Sequence, residues 1–190
     1  SKYKYVGTLT DYKKPYIVVL QHPVTTEFQN TDIQIKETIS AIKKIKEQVV
    51  WLWPNVDAGS DVISKNIRTF REKNNPKNIG FYKNFNPVDF LKLINNAECF
   101  VGNSSSAIRE GSYLGVTSVN IGSRQSNREK SKNIIDVSYN AEKIYRAIKY
   151  QMNHGKYKKD NLYGNRNAGL KIANIINKIK RINIQKKLNY

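Results

Sequence analysis

The stretch Cys99–Val116, CFVGNSSSAIREGSYLGV, decides how the chain is read. A short apolar run, Cys99-Phe100-Val101, stops at Gly102. Three serines follow, and then a helical pattern carrying Arg109 and Glu110. A buried strand that ends on glycine and hydroxyls, with a helix directly behind, is half of a βαβ unit. In such a unit the start of the helix offers free backbone N–H groups, and the serines add hydroxyl donors.

The same unit recurs along the chain. Tyr16–Leu20 is a β-branched apolar run of the kind a strand buried on both faces requires. From Thr31 to Gln48, Ile35, Ile39, Ile42 and Ile45 share one helical face, and Thr31 with Gln34 has the spacing of a capping box. Val49–Trp53 is a second strand, ended by Pro54. Ser60–Asn74 is a helix with Val62, Ile63, Ile67 and Phe70 inward. Asn78–Tyr82 is a third, weaker strand, and Asn86-Pro87 opens another helix. Glu98–Val101, Thr117–Ile121 and Asn133–Val137 supply three more strands. Helices over Ala141–Met152 and Ala168–Ile182 close the chain, separated by a polar loop. Alternating strands and helices predict an α/β fold, a doubly wound, Rossmann-like parallel sheet of about six strands. The expected division is a lead-in over residues 1–15, one domain over 16–185, and a basic tail over 186–190.

Bulk properties narrow the function. A chain of 190 residues fits one domain. No apolar run reaches the ~20 residues a membrane helix needs, and the N-terminus has no secretory h-region. One cysteine excludes an intramolecular disulfide framework and fits a reducing, cytoplasmic setting. Two histidines and that cysteine argue against a dedicated metal site, so none is expected. The net charge of +18 admits a nucleic-acid partner. The lysines, however, are spread over every predicted helix rather than gathered in one stripe with aromatics, which favours a solvated surface.

In an open α/β sheet, ligands bind beyond the carboxyl ends of the strands. Four segments fall there: Gln21-His22-Pro23, Pro54-Asn55-Val56-Asp57, Gly102-Asn103-Ser104-Ser105-Ser106 and Gly122-Ser123-Arg124-Gln125. If the first and fourth strands are neighbours, these loops meet in one crevice. Serine hydroxyls, N–H groups at a helix start and the Arg124 guanidinium suit phosphate. Glu110 can accept from two vicinal hydroxyls, as a ribose presents. Taken singly, each has a plainer reading: an ordinary N-cap, a core histidine at His22, solvated charges at Arg109, Glu110 and Arg124. No G-x-x-x-x-G-K-[ST] and no G-x-G-x-x-G occurs, which disfavours an NTPase or a dinucleotide enzyme.

The segments LQHPVTTE, WPNVDAGS, VGNSSSAIRE and NIGSRQSNREKSKNIIDV, with a weaker echo in YGNRNAG, resemble the hydrolysing UDP-N-acetylglucosamine 2-epimerases of sialic-acid and surface-sugar pathways. The resemblance implies the C-terminal domain of a GT-B fold, the half that holds the nucleotide, in a protein that forms a homo-oligomer. It implies that Ser104 and Ser105 contact the diphosphate, Glu110 the ribose and Arg124 the phosphates. Asn55 and Phe90 would lie near the uridine, and His22 on the leaving-group side as a catalytic residue. The reaction implied is elimination of UDP to a glycal, then hydration to N-acetylmannosamine, without cofactor or metal. Acid/base carboxylates would come from an N-terminal half outside this chain, so the chain alone is expected to be inactive. Departures from the family pattern occur at Ala107, Thr117, Asn127, Ser131, Lys132 and Asn165-Arg166. The alternatives are an epimerase for a UDP-diacetamido sugar, a UDP-sugar glycosyltransferase half and, from another class, a basic nucleic-acid-binding module.

Overall fold

A computed structural model describes residues 2–164 and 167–180. Seven strands form one sheet: β1 (Tyr5–Gly7), β2 (Tyr16–Leu20), β3 (Gln48–Leu52), β4 (Ile79–Tyr82), β5 (Cys99–Gly102), β6 (Ser118–Ile121) and β7 (Ile134–Val137). Their order across the sheet is β1-β4-β3-β2-β5-β6-β7. β2 to β7 are parallel, and β1 adds to β4 antiparallel. The helices are α1 (Thr31–Ile42), α2 (Ser60–Asn74), α3 (Pro87–Asn95), α4 (Ser105–Ile108), α5 (Glu110–Leu114), α6 (Ala141–His154) and α7 (Ala168–Lys178).

Side chains alternate across each strand, so the apolar runs feed two separate cores. Ile17 and Val19 of β2, Trp51 of β3 and Val101 of β5 pack against Ile35 of α1, Ile67 of α2 and Ile148 of α6. Val18 and Leu20 of β2, Val50 of β3 and Phe100 of β5 face the other way, onto Leu93 and Ile94 of α3 and Ala107 of α4. Helices therefore cover both faces, and every residue of β2 is buried. This is the doubly wound sheet that the sequence predicts, with all six anticipated strands present. Cys99 lies wholly inside it, and burial pushes its thiol up to about 12, which leaves it inert.

The seventh strand, β1, has no counterpart in the sequence reading. It is three residues long and exposed throughout, and it offers no apolar run to detect. The proposed capping box at Thr31 and Gln34 does not form. A 3-10 helix over Thr25–Asn30 runs straight into α1, so Thr31 already has helical dihedrals. Gln34 Nε2 donates instead to Glu27 Oε2 at 2.6 Å. α1 also ends at Ile42 rather than near Gln48. Two tight turns, Lys44 N–H to Ala41 and Ile45 N–H to Ile42, return Ile45 to the core. At Asn86 the predicted cap is present, accepting from Asp89 N–H at 2.9 Å with Pro87 behind it. The last helix, α7, buries none of its residues. Its anticipated end at Ile182, the Asn165-Arg166 pair and the basic tail over 186–190 lie outside the described residues.

Candidate functional site

The strand order reverses between β2 and β5, which lie side by side at the centre of the sheet. The loops leaving their carboxyl ends must diverge to opposite faces, and a crevice opens between them. The two strand ends come unusually close. Gly102 has φ +133°, and a Cβ there would sit 1.9 Å from the carbonyl oxygen of Leu20. Glycine is required at that position by both conformation and space.

A cleft of about 1160 Å³ occupies this place. His22, Asn55, Phe90, Ser104, Ser105 and Arg124 all line it, so six of the seven residues singled out from sequence converge. Among the described residues, no carboxylate lines the cleft. Its lining carries four cations, Lys4, Arg68, Lys83 and Arg124.

His22 is 4% exposed. Its Nδ1 accepts the Asn55 main-chain N–H at 3.2 Å, so the neutral ring carries its proton on Nε2. Burial, then the nearby Arg124 charge, lowers its pKa to about 4, against a smaller opposing pull from Asp57. His22 is thus an uncharged N–H donor at neutral pH. Arg124 donates to the Asn103 carbonyl through Nη1 at 3.3 Å, and its Nη2 lies 3.9 Å from Asp57 Oδ2. Neither contact is a close fork, so the guanidinium keeps donors for a ligand. Beyond Arg124 lies a smaller pocket of about 520 Å³, lined by Thr25, Thr26, Glu27, Asp57 and Ser123 among others.

The serines act differently from the sequence expectation of a helix dipole. α4 is four residues long, and the helical path is interrupted at Arg109 before α5 begins. One turn of aligned peptides carries little macrodipole. What remains is local: Ser104 caps α4, its hydroxyl accepting the Ser106 N–H at 3.3 Å. The Ser105 hydroxyl has no protein partner among the described residues and lines the cleft.

Glu110, the seventh residue, opens α5 and is not among the residues lining the cleft. Its Oε2 is buried and has no hydrogen-bond partner among the described residues. An orphaned carboxylate oxygen is costly.

Sequence reading missed Asn103 as a working residue. It is fully buried, and its side chain pairs with both main-chain groups of His22. Gln125 was missed likewise; its Nε2 donates to the Asn103 carbonyl at 2.9 Å. The only signal for either was adjacency, to Gly102 in one case and Arg124 in the other. No group of three or more His, Cys, Asp and Glu able to hold a metal occurs among the described residues. No helix among them is long and apolar enough to cross a membrane.

Comparisons with known proteins bear on the family and the fold. A family model described as UDP-N-acetylglucosamine 2-epimerase matches residues 1–177. The UDP-N,N'-diacetylbacillosamine 2-epimerase (hydrolyzing) of Legionella pneumophila is 31% identical over 154 residues, covering 81% of this chain and 40% of that protein. The UDP-N-acetylglucosamine 2-epimerase of Neisseria meningitidis is 30% identical over 172 residues, covering 89% and 45%. The chain therefore spans less than half the length of these relatives. Among solved structures, the Methanocaldococcus jannaschii UDP-GlcNAc 2-epimerase in complex with UDP-GlcNAc and UDP superimposes with a TM-score of 0.68 at 20% identity, over 86% of this chain and 46% of that one. That likeness shows a shared Rossmann-like, GT-B-type fold. The chain belongs to the UDP-N-acetylglucosamine 2-epimerase family.

Proposed function

We propose that this member of the family is the nucleotide-binding, C-terminal half of a hydrolysing UDP-N-acetylglucosamine 2-epimerase. The observation that carries the reading is the cleft at the switch point, where His22, Ser104, Ser105 and Arg124 meet and the one carboxylate near them, Asp57, stands 3.9 Å from Arg124 without lining the cleft. A diphosphate bears its charge on oxygens that need several convergent donors, and these residues offer them.

In the reaction proposed, a base removes the proton on C2 of the sugar. The C1–O bond breaks, and UDP leaves with the electron pair. Water then adds across the C1–C2 double bond of the glycal to give N-acetylmannosamine. Negative charge grows on the β-phosphate as the bond breaks, so donors placed there lower the barrier. Arg124 supplies charge, and Ser104 and Ser105 supply hydroxyls. His22 supplies a hydrogen bond from Nε2 rather than a transferred proton, because its ring is already neutral. Asn55 and Phe90 flank the uracil, and Glu110 takes the ribose hydroxyls once its side chain turns from its enclosed position outside the cleft lining. The carboxylates that move protons at the sugar belong to the partner half, so this chain alone binds UDP without turning over.

A second reading concerns the sugar. The Legionella relative is named for a UDP-diacetamido sugar and the Neisseria relative for UDP-N-acetylglucosamine, at nearly equal identity. Both readings keep the same UDP site. Product analysis of the full-length protein with each UDP-sugar tests them. Free N-acetylmannosamine and UDP from UDP-N-acetylglucosamine is the expected result. Transfer of the sugar to an acceptor would overturn the epimerase reading. Turnover by this chain alone would overturn its assignment as a half-site.

A further inference from the structure

Asn103 is the first residue beyond β5 and is fully buried. Its side chain makes two hydrogen bonds to one residue 81 positions earlier. Oδ1 accepts the His22 N–H at 2.7 Å, and Nδ2 donates to the His22 carbonyl at 2.8 Å. The β2–β5 ladder ends at the pair Leu20 and Gly102. Asn103 N–H still donates to the Leu20 carbonyl at 3.2 Å, and its carboxamide then continues the pairing one residue further. The side chain thus stands in for a rung of backbone, where the chain leaves the sheet before Pro23. Its own carbonyl meanwhile accepts from Arg124 Nη1 at 3.3 Å and Gln125 Nε2 at 2.9 Å.

We infer that Asn103 is a positioning residue that sets His22 and Arg124 as one unit for reading the diphosphate. The inference rests on the proposed placement of the diphosphate at those two residues. Asn103 does not itself line the cleft, so it acts through its neighbours. The carboxamide is specifically suited. It provides one donor and one acceptor side by side, matching the acceptor and donor of a peptide. Aspartate keeps the acceptor but turns its second oxygen toward the His22 carbonyl, and alanine provides neither.

The test uses UDP and uridine as probes, by calorimetry, with Asn103→Ala, Asn103→Asp, His22→Ala and the double variant His22→Ala/Asn103→Ala. The His22 ring is followed by NMR; the chain has only two histidines, so His22→Ala assigns the signal. Arg124 and Asp57 are the charged groups acting on that ring, and its titration reports on their arrangement. Folded Asn103 variants should bind UDP roughly tenfold more weakly, the weight of one displaced charge-assisted hydrogen bond. Uridine affinity should stay the same, and His22 should titrate closer to its ordinary value. The double variant should bind UDP little worse than His22→Ala alone, because the two substitutions remove one unit. UDP affinity within twofold of wild type, or strictly additive losses, overturns the inference. A protein whose stability falls while UDP affinity and the His22 titration stay unchanged does so too. Should neither Asn103 variant fold, the wild type still decides. Saturating UDP should slow exchange of the Asn103 side-chain amide protons, and an unchanged rate overturns the inference. Failure of the wild type to prefer UDP over uridine would instead overturn the placement of the diphosphate.

Discussion

The imidazole Nδ1 of His22 accepts the main-chain N–H of Asn55 at 3.2 Å. That bond joins the loop after β2 to the loop after β3, and it fixes the tautomer of a ring that burial keeps neutral. The native pKa is about 4, against ~6.5 for an unfolded histidine. Between those values the unfolded chain binds the extra proton, so stability rises with pH. The contribution is fully present above about pH 6.5 and is lost as pH falls through about 4. At 1.36 kcal/mol per pKa unit it is on the order of 3 kcal/mol. Urea unfolding from pH 7.5 to pH 4.5 should show this loss in the wild type and a flatter profile in His22→Gln. Parallel profiles would mean that His22 is not held neutral in the folded state.

The contact between Gly102 and Leu20 predicts a second result. A Cβ at Gly102 meets the Leu20 carbonyl oxygen at 1.9 Å, and the backbone there has φ +133°. Backbone strain of this kind costs about 1–3 kcal/mol before any clash is counted. Gly102→Ala should therefore destabilise the protein by more than about 2 kcal/mol, read as a lower urea midpoint, or leave no folded protein. A midpoint equal to that of wild type would show that β2 and β5 do not approach this closely.

Much of this architecture is legible in the sequence, for a physical reason. β2, β3 and β5 are buried on both faces, and only uninterrupted apolar runs such as Tyr16–Leu20 satisfy that environment. The loops at their ends could then be placed by the rule for open α/β sheets, which brought His22, Asn55, Ser104 and Arg124 to one cleft. What stayed hidden depends on single contacts rather than on pattern. β1 is exposed and short, and it is held by backbone pairing to β4 and by the stacking of Tyr5 on Tyr82, neither of which leaves a pattern in the sequence. The interruption at Arg109 splits what periodicity reads as one helix. Asn103 looks like any polar loop residue, because its role depends on a partner 81 positions away.

Glu110 separates ligand binding from packing. Its buried Oε2 has no partner among the described residues, and under the proposed function it takes the ribose hydroxyls. Glu110→Gln keeps the shape but replaces a charged acceptor with a neutral one. Hydrogen bonds to charged groups contribute about 1.5–3 kcal/mol and neutral ones about 0.5–1.5. UDP should bind roughly tenfold more weakly to the variant. A 2′,3′-dideoxy UDP should bind the wild type poorly and hardly notice the substitution. Calorimetry on both ligands with both proteins forms a double-mutant cycle. A coupling near zero in a folded variant would place the ribose elsewhere.

The proposed function requires that the cleft between β2 and β5 read a diphosphate. The most direct measurement is calorimetric titration of this chain with UDP and with uridine under identical buffer and salt. The uracil and ribose contacts are common to both ligands, so the difference reports only on the phosphates. His22, Ser104, Ser105 and Arg124 line one cleft, so UDP should bind more tightly than uridine by at least roughly tenfold, the contribution of one charge-assisted hydrogen bond. The preference should shrink in Arg124→Leu. Equal affinity for UDP and uridine would contradict the account.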